Sequence, residues 1–532
     1  MSALVRRLPP WSITAGASVV YLIAAPPSPD LAAASYRSDL FGRVGFTLWD
    51  NSWYAGHHLP AYSLLAPALG ALIGTQLLTA LAMVAAAALF ATLIEGRFSP
   101  RATRFAAAWF ALGAAIALLS SRVPFDLGLA LGLGALVLAQ RGRTALAALA
   151  TVLAAIASPV AAAFLALAYL AWRIANFDNA RTQPIILFLS AAAPVAVLEL
   201  AFPEGGSQPF VPSAFWPALV GVLALAVVVP RERRVLRIGL WLYALALIAS
   251  FVTSTAVGGN ADRLGALAAG PVAACLLGAG IEGRWRRWLL IAISPALLYW
   301  QANAPVADFA SAIEDPATGA AYYRPLLGEL QRLDIGYGHR PARIEVVATA
   351  DHWEARFLAP HVPIARGWER QLDRYRNGLF YGPSSKPGAS EYLAWLHAQA
   401  ISYVALPDAP LDYSAKTEAR LLESGPPAPL SEVWRSRHWR LFSVPAPTPL
   451  AQAPAQLTAL STDAFTLLAP KPGEYTVKIH YTPYWAVAAG ALGCVSEAPG
   501  DWTRVRAERA GYLRIVIGFS LTRIFAHGAR CA

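Results

Sequence analysis

The stretch "SDLFGRVGFTLWDNSWYAGHHLPAYSLL", residues 38–65, gathers Asp39, Asp50, His57, His58, Trp49, Trp53 and Tyr54 between runs that are otherwise mostly alanine and leucine. A carboxylate in such a loop can take the proton of an attacking hydroxyl, help worth about 10²–10⁴ in rate. Trp49, Trp53 and Tyr54 have the flat faces that stack on sugar rings, and His57 and His58 can hydrogen-bond hydroxyls or phosphate. Because the two histidines are adjacent, neither the helix nor the strand period sets them side by side as a metal pair. Two arginines complete a transfer chemistry: Arg122 in "SRVPFD" (121–126) and Arg263 in "VGGNADRL" (257–264) each offer a planar donor fork for phosphate oxygens.

A second concentration, "ARGWERQLDRYRNGLFYG" (365–382), carries Arg366, Trp368 and Glu369, side chains suited to an acceptor carbohydrate. As a helix it would place like charges at i, i+4, Glu369 with Asp373 and Arg370 with Arg374, so other groups must offset the repulsion. Each motif also has a plainer reading. Trp and Tyr gather at membrane interfaces whatever the function, Asp50-Asn51-Ser52 can cap a helix, "VGGN" can make a tight turn, and Glu204 before Gly205-Gly206 reads as a solvated loop acid.

The elements that must hold these residues are membrane spans. Hydrophobic residues make up 56 % of the chain and charged residues 14 %, against the roughly 25 % charged usual in soluble domains. Apolar blocks run at about 11–27, 61–94, 105–120, 125–140, 144–157, 159–172, 182–201, 213–230, 236–256, 264–281 and 288–303, and a span needs about 20 residues. The 144–172 pair must therefore be short or bent around Ser158-Pro159, and 61–94 must break at Gly74-Thr75 into a short re-entrant half-helix and a full span. The net charge of +11 sits in arginine clusters between blocks: Arg6/Arg7, Arg97/Arg101/Arg104, Arg141/Arg143, Arg173/Arg181, Arg231/Arg233/Arg234/Arg237 and Arg284/Arg286/Arg287. These are topology signals, and no nucleic-acid partner is implied. With all of them cytoplasmic, about 11 crossings put the opening loop 28–60, the motifs at 121–126, 202–210 and 257–264, and everything after about 304 on the non-cytoplasmic side. A cleaved signal peptide over residues 1–27 is the rival reading of the N-terminus and leaves the loop on the same side.

After about 305 the spans stop. "ARIEVVATADHWEARFLAP", "EYLAWLHAQAISYVALPD" and "WRLFSV" alternate β-rich and helical patterns, as in an α/β domain over 305–445. Beyond the Pro/Ala-rich 444–456, short strands separated by Gly/Pro turns read as a β-sandwich over 446–532. Cys494 and Cys531 both fall there, where an oxidising compartment permits a disulfide, while Cys275 reads as a packing residue within a span.

A long acid-bearing loop after the first span, running through "HHLPAYSLL" into the second, resembles the GT-C superfamily of integral-membrane glycosyltransferases. The resemblance covers the membrane half, 1–304, and the general plan of an exported C-terminal part. It implies a polytopic α-helical membrane protein of about 11–13 helices, in a bacterial inner membrane, with exported C-terminal α/β and β-sandwich-like domains. The implied activity is inverting transfer of a sugar from a polyprenyl-phosphate donor to a glycan or lipid acceptor of the cell envelope, with membrane lipid as partner. Asp39 or Asp50 would serve as general base, or as ligands of a divalent cation such as Mg or Mn, with Asp30 behind them; the loop has no Asp-Asp or Asp-Glu dyad to decide. Arg263, then Arg122, would hold the donor phosphate. Two other classes stay open: a multi-span transporter, which usually carries midplane ionisable sites and paired repeats not evident here, and a non-catalytic polysaccharide-binding scaffold, which would keep the aromatics without needing Asp39 or Asp50.

Overall fold

A computed structural model describes residues 8–177, 182–279, 283–338, 341–382, 387–425, 427, 429–526 and 528–531. Arg6, Arg7 and Arg181 of the arginine clusters lie outside the described residues. The chain forms two compact units, one of residues 1–42, 61–199 and 206–314, the other of 43–60, 200–205 and 315–532.

The first unit is helical: α1 (Ser12–Ala24), α2 (Pro29–Val44, its last turn passing into the second unit), α3 (Leu65–Ile73), α4 (Thr75–Ile94), α5 (Pro100–Ala117), α6 (Val123–Gln140), α7 (Thr144–Ala157), α8 (Pro159–Ala175), α9 (Gln183–Ala201), α10 (Pro212–Val228), α11 (Arg234–Val252), α12 (Arg263–Gly278) and α13 (Arg284–Ile313). Among the described residues, six are long and apolar enough to cross a membrane: α4, α6, α9, α11, α12 with the short turn before it, and α13. The shorter α1, α7, α8 and α10 are also apolar. The helix breaks fall where the sequence places them. Gly74, at φ 87°, separates α3 from α4, a conformation open to glycine at little cost. The nine residues of α3 rise only ~13 Å, too short for a hydrocarbon core of ~30 Å. Ser158 ends α7 and caps α8, its side chain accepting from Ala161 N at 3.3 Å with Pro159 at the first helical position. Small residues let helices approach closely: a methyl on Gly278 of α12 would lie 2.5 Å from Ala102 Cβ on α5.

The second unit holds three four-stranded sheets. The first is mixed, in the order β3 (Arg343–Val346), β4 (Ile401–Pro407), β6 (Trp439–Ser443), β5 (Ser431–Arg435), with β3 parallel to β4 and the other pairs antiparallel. It is accompanied by α14 (Ala320–Arg332), α15 (Glu354–Phe357), α16 (Arg370–Arg376), α17 (Ala389–Ala398) and α18 (Lys416–Glu423). The other two sheets form the sandwich, one ordered β10 (Trp485–Val487), β13 (Gly511–Ile517), β8 (Ala464–Ala469), β7 (Gln456–Leu460) and the other β14 (Arg530–Cys531), β11 (Gly493–Ala498), β12 (Trp502–Ala507), β9 (Gly473–His480). Cys494 and Cys531 pair across β11 and β14 and are disulfide-bonded. Cys275 is a buried free thiol on α12.

The observed boundaries differ from the sequence reading at three places. The last helix continues past 304 to Ile313, because Pro305 sits inside it without ending it. The regions 305–445 and 446–532 both fall, from 315 on, within the second unit. The loop 28–60 is mostly not a loop: 29–44 is α2, and 43–60 folds with the second unit.

Candidate functional site

The aromatic and histidine side chains of the opening stretch build a β-hairpin, β1 (Trp49–Asp50) with β2 (His57–His58), pairing Trp49 with His58 and Asp50 with His57. Its turn uses left-handed backbone at Tyr54, Ala55 and Gly56 (φ 55°, 61° and 113°). Gly56 is required there, since a Cβ would lie 2.4 Å from the Trp49 ring. Trp49 belongs to the sandwich core, 5.7 Å from Trp485 between ring centroids. Asn51 N donates to Thr462 O at 2.8 Å, Ile364 N to Ser52 O at 2.9 Å and Trp53 Nε1 to Ala355 O at 3.2 Å. The hairpin thus joins the α/β part of the second unit to its sandwich.

This placement corrects several roles read from the sequence. Trp49, Trp53 and Tyr54 are buried, so no ring face is open for a sugar to stack on. His57 is buried too and stacks on Trp53 at 5.4 Å. His58 is buried with Nε2 2.9 Å from Thr482 Oγ1 and Nδ1 2.8 Å from Glu204 Oε1. Asp50 is fully buried, and its Oδ1 accepts from Ser52 N at 2.9 Å, a local turn bond. Glu204 is a structural ion rather than a solvated loop acid: it also accepts from His58 N and lies 3.7 Å from Arg376 Nη2. Burial pushes its carboxyl up, but the His58 hydrogen bond and the His58 and Arg376 charges outweigh this and hold its pKa below the usual value.

The 365–382 stretch packs against the same hairpin. Tyr54 OH donates to Glu369 O at 3.0 Å, and Arg376 donates to Tyr54 O at 2.9 Å and Gly56 O at 2.5 Å. Arg366 is buried, with Nη2 2.6 Å from Asp373 Oδ2 and 2.7 Å from Ser414 Oγ, and Nη1 3.6 Å from Glu418. Asp373 also accepts from Tyr381 OH at 2.6 Å and Asn377 Nδ2 at 2.8 Å, while Arg370 pairs with Asp412 at 2.7 Å. These partners offset the like-charge pairs. Arg366 and the buried Glu369 side chain are therefore framework groups rather than acceptor contacts; Trp368 alone of the three is half-exposed. Burial and the neighbouring Glu418 charge push the Glu345 carboxyl well up. For His352, burial lowers the pKa, but hydrogen bonds to Asp412 and Glu354 outweigh it and raise it to about 9.

Within the first unit a different set of charges meets at helix ends. Asp30, in the first turn of α2, suits the positive end of that helix. Its Oδ2 lies 3.3 Å from Nε of Arg122, which caps α6; Arg122 Nη2 lies 3.5 Å from Asp308 Oδ2 on α13. Ser120 Oγ donates to Asp308 at 2.6 Å and Ser28 Oγ to Ser120 O at 2.9 Å, tying the three chain segments together. Asp126, one turn into α6, is 2 % exposed, and its Oδ2 has no hydrogen-bond partner among the described residues. It lies within electrostatic reach of Arg122, Arg263 and Asp30. Arg263 opens α12 with Cζ 5.3 Å from the Phe125 ring centroid, and the Arg37 guanidinium lies 4.2 Å from the Tyr62 ring centroid. Neither of the Arg122 contacts is a close charge-assisted bond of about 2.7–2.9 Å, so its donor fork is divided between two carboxylates and loosely held.

No family model matches the chain, and no curated protein matches it. Among solved structures, the apo oligosaccharyltransferase of Archaeoglobus fulgidus aligns over 98 % of this chain and 95 % of its own, with a TM-score of 0.50 at 12 % identity. The chain shares the fold of that oligosaccharyltransferase. Another structure, oligosaccharyltransferase AglB of the same organism with an inhibitory peptide and a dolichol-phosphate, aligns over 75 % of this chain and 69 % of its own at a TM-score of 0.36 and 15 % identity, too low to argue from.

Of the sequence candidates, the first unit brings together Arg122, Arg263 and the third-choice acid Asp30. Asp39 stays exposed on α2, nine residues beyond Asp30 and so, at 100° per residue, on the opposite helix face. Asp126, Asp308, Arg37 and Tyr62 were missed as members. Asp126 had a visible signal, an acid at the start of a span, where ionisable residues are costly and usually functional. Asp308 had none once the membrane part was ended at 304. Asp50 Oδ1 accepts from Ser52 N, and among the described residues no group of three or more His, Cys, Asp or Glu side chains could hold a metal ion.

Proposed function

We propose that the chain is a membrane glycosyltransferase that moves a sugar or glycan from a polyprenyl-phosphate-type donor to a cell-envelope acceptor on the non-cytoplasmic face of a bacterial inner membrane. The observation that carries this reading is the Arg122–Asp30–Asp308 cluster, with Arg263 and Asp126, at the ends of apolar helices in a chain that shares the fold of an oligosaccharyltransferase. A phosphate at that level displaces the loose carboxylate contacts of Arg122 and takes its fork, with Arg263 as second cation. A buried carboxylate oxygen with no hydrogen bond among the described residues has capacity to accept a proton, and we assign Asp126 as base towards the acceptor hydroxyl. The attacking oxygen bonds to the anomeric carbon as the sugar–phosphate bond breaks; the hydroxyl proton passes to Asp126 and the phosphate leaves with the bonding pair.

Two features support the side. The arginine clusters fit a cytoplasmic position, and the Cys494–Cys531 disulfide suits an oxidising compartment. The test is transfer by the purified full chain in lipid nanodiscs, offered radiolabelled polyprenyl-phosphate monosaccharides and polyprenyl-pyrophosphate oligosaccharides, with and without EDTA. Label passing to an envelope acceptor, and lost in Arg263→Lys, is the expected result. Binding of all donors with no transfer under either condition overturns the enzymatic reading.

A further inference from the structure

We infer that the segment 519–525, just after β13, is an interfacial lipid contact: Phe519, Leu521 and Phe525 enter the boundary between headgroups and acyl chains beside the C-terminal end of α9. This goes beyond the proposed activity and does not rest on it. The three side chains are 50, 71 and 76 % exposed, a cluster of large apolar groups at the end of a strand whose Leu513 and Ile515 are buried. Such a patch marks an interaction surface.

The depth of the segment follows from its neighbours. Helix α9 is a candidate span that ends at Ala201, so Ala201 lies at a membrane boundary. Ala201 O accepts from Tyr484 OH at 2.6 Å. The Phe202 ring centroid is 5.5 Å from that of Tyr484 and 6.1 Å from that of Phe519, and Tyr484 and Phe519 are 5.3 Å apart. Phe519 is therefore held at the level where α9 leaves the lipid. Tyr375, 61 % exposed and packed near Gly205 a few residues along the same exit, adds a further aromatic of the kind enriched at interfaces.

The display is built rather than incidental. Arg523 donates to Pro483 O at 3.1 Å and to Gly528 O at 2.8 Å, and Arg530 to Gly518 O at 2.6 Å and Tyr484 O at 3.2 Å. These bonds brace both ends of the segment while its apolar side chains face outward. Because both guanidinium groups serve backbone carbonyls, the contact is apolar insertion, not recognition of anionic headgroups. Lipid is the occupant favoured over a second copy of the chain, because covalent continuity with α9 puts a bilayer at this level in every molecule.

The experiment uses the full chain with Cys275→Ser and a single fluorophore on Phe525→Cys, on Leu521→Cys, or on Tyr512→Cys, in phosphatidylcholine nanodiscs. Tyr512 is 67 % exposed and lies near the opposite end of β13 from the segment, ~15–20 Å along the strand from Gly518. Labels at 521 and 525 are expected to shift to the blue and lose most of their emission to doxyl-labelled lipid, with little loss to aqueous iodide and no change at high salt. The label at 512 should do the reverse. Iodide quenching at both 521 and 525 as strong as at 512 overturns the inference, as does protection that depends on the number of chains per disc rather than on lipid quencher.

Discussion

Two parts of the molecule are rich in acids and arginines, and they use them in opposite ways. In the second unit, Asp50, Arg366, Asp373 and Asp412 are buried with short hydrogen bonds at 2.6–2.9 Å to close partners, although Arg366 Nη1, Glu204 Oε2, both Glu345 oxygens and Glu418 Oε2 have none among the described residues. In the first unit, Arg122 is a quarter exposed and shares its fork with two carboxylates at 3.3 and 3.5 Å, while Asp126 keeps an oxygen with no hydrogen bond among the described residues. A satisfied ion network specifies a fold; an under-satisfied one has capacity left for a ligand. Density of polar and aromatic residues is therefore a poor guide to chemistry here, and what sets the first unit's cluster apart is a partly exposed arginine with two loose carboxylate contacts at the ends of apolar helices.

The sharpest way to break this contrast is at Asp126. Asp126→Asn keeps the shape and removes the base, so transfer should fall about 10²–10⁴ with thermal unfolding unchanged; retained activity in a working assay would return the role to Asp30 or Asp39. In the second unit the effect should be on stability. Arg366→Ala leaves Asp373, Glu345 and Glu418 buried without their cation and should cost roughly 3–5 kcal/mol, seen as a lower denaturant midpoint of the full chain.

His352 supplies a pH signature of the same network. Its pKa is about 9 in the folded protein against about 6.5 unfolded. The stabilisation is fully present below pH 6.5 and is lost as pH rises through 9. The loss is on the order of 3 kcal/mol, and His352→Gln should flatten that part of the stability profile. Gly56→Ala, forced against Trp49 at positive φ, should cost roughly 2–3 kcal/mol by thermal unfolding. The smallest effect is expected at Asp50→Asn, whose Oδ1 can still accept from Ser52 N. Transfer should stay within a few-fold and stability within about 1 kcal/mol; a hundredfold loss of transfer in a stable variant would erase the distinction between the two regions.

Much of the architecture was legible because its causes are local. Gly74 and Ser158-Pro159 break helices by their own backbone and capping preferences, and the span positions follow from runs of apolar residues. The hairpin was not legible as framework, because what buries it lies far along the chain: Trp49 meets Trp485, and Asn51 Nδ2 donates to Ser461 O. A loop full of Trp, His and Asp looks the same in sequence whether its partner is a sugar or its own distant β-sandwich. Arg122 and Arg263 were found from their position at helix ends, and Asp30 only as a weaker candidate. Asp308 was hidden by an early boundary, and Asp126 was read as part of a polar motif rather than as an acid at the start of a span.

The hydrogen bond between His58 and Thr482 spans 424 residues of sequence. During synthesis the hairpin must therefore wait for nearly the whole chain. At ribosomal speeds of about 5–20 residues per second the delay is roughly 20 to 85 seconds. Trp53 and Tyr54 meet Ala355 and Glu369 earlier, but Trp49 and His58 have no sandwich to pack against until the end, and a chain stopped before it would leave them without that core. The late strands thus act as the quality check on the earliest loop, and the second unit made from residue 315 onward alone would lack the Trp49 side chain that its core is built around.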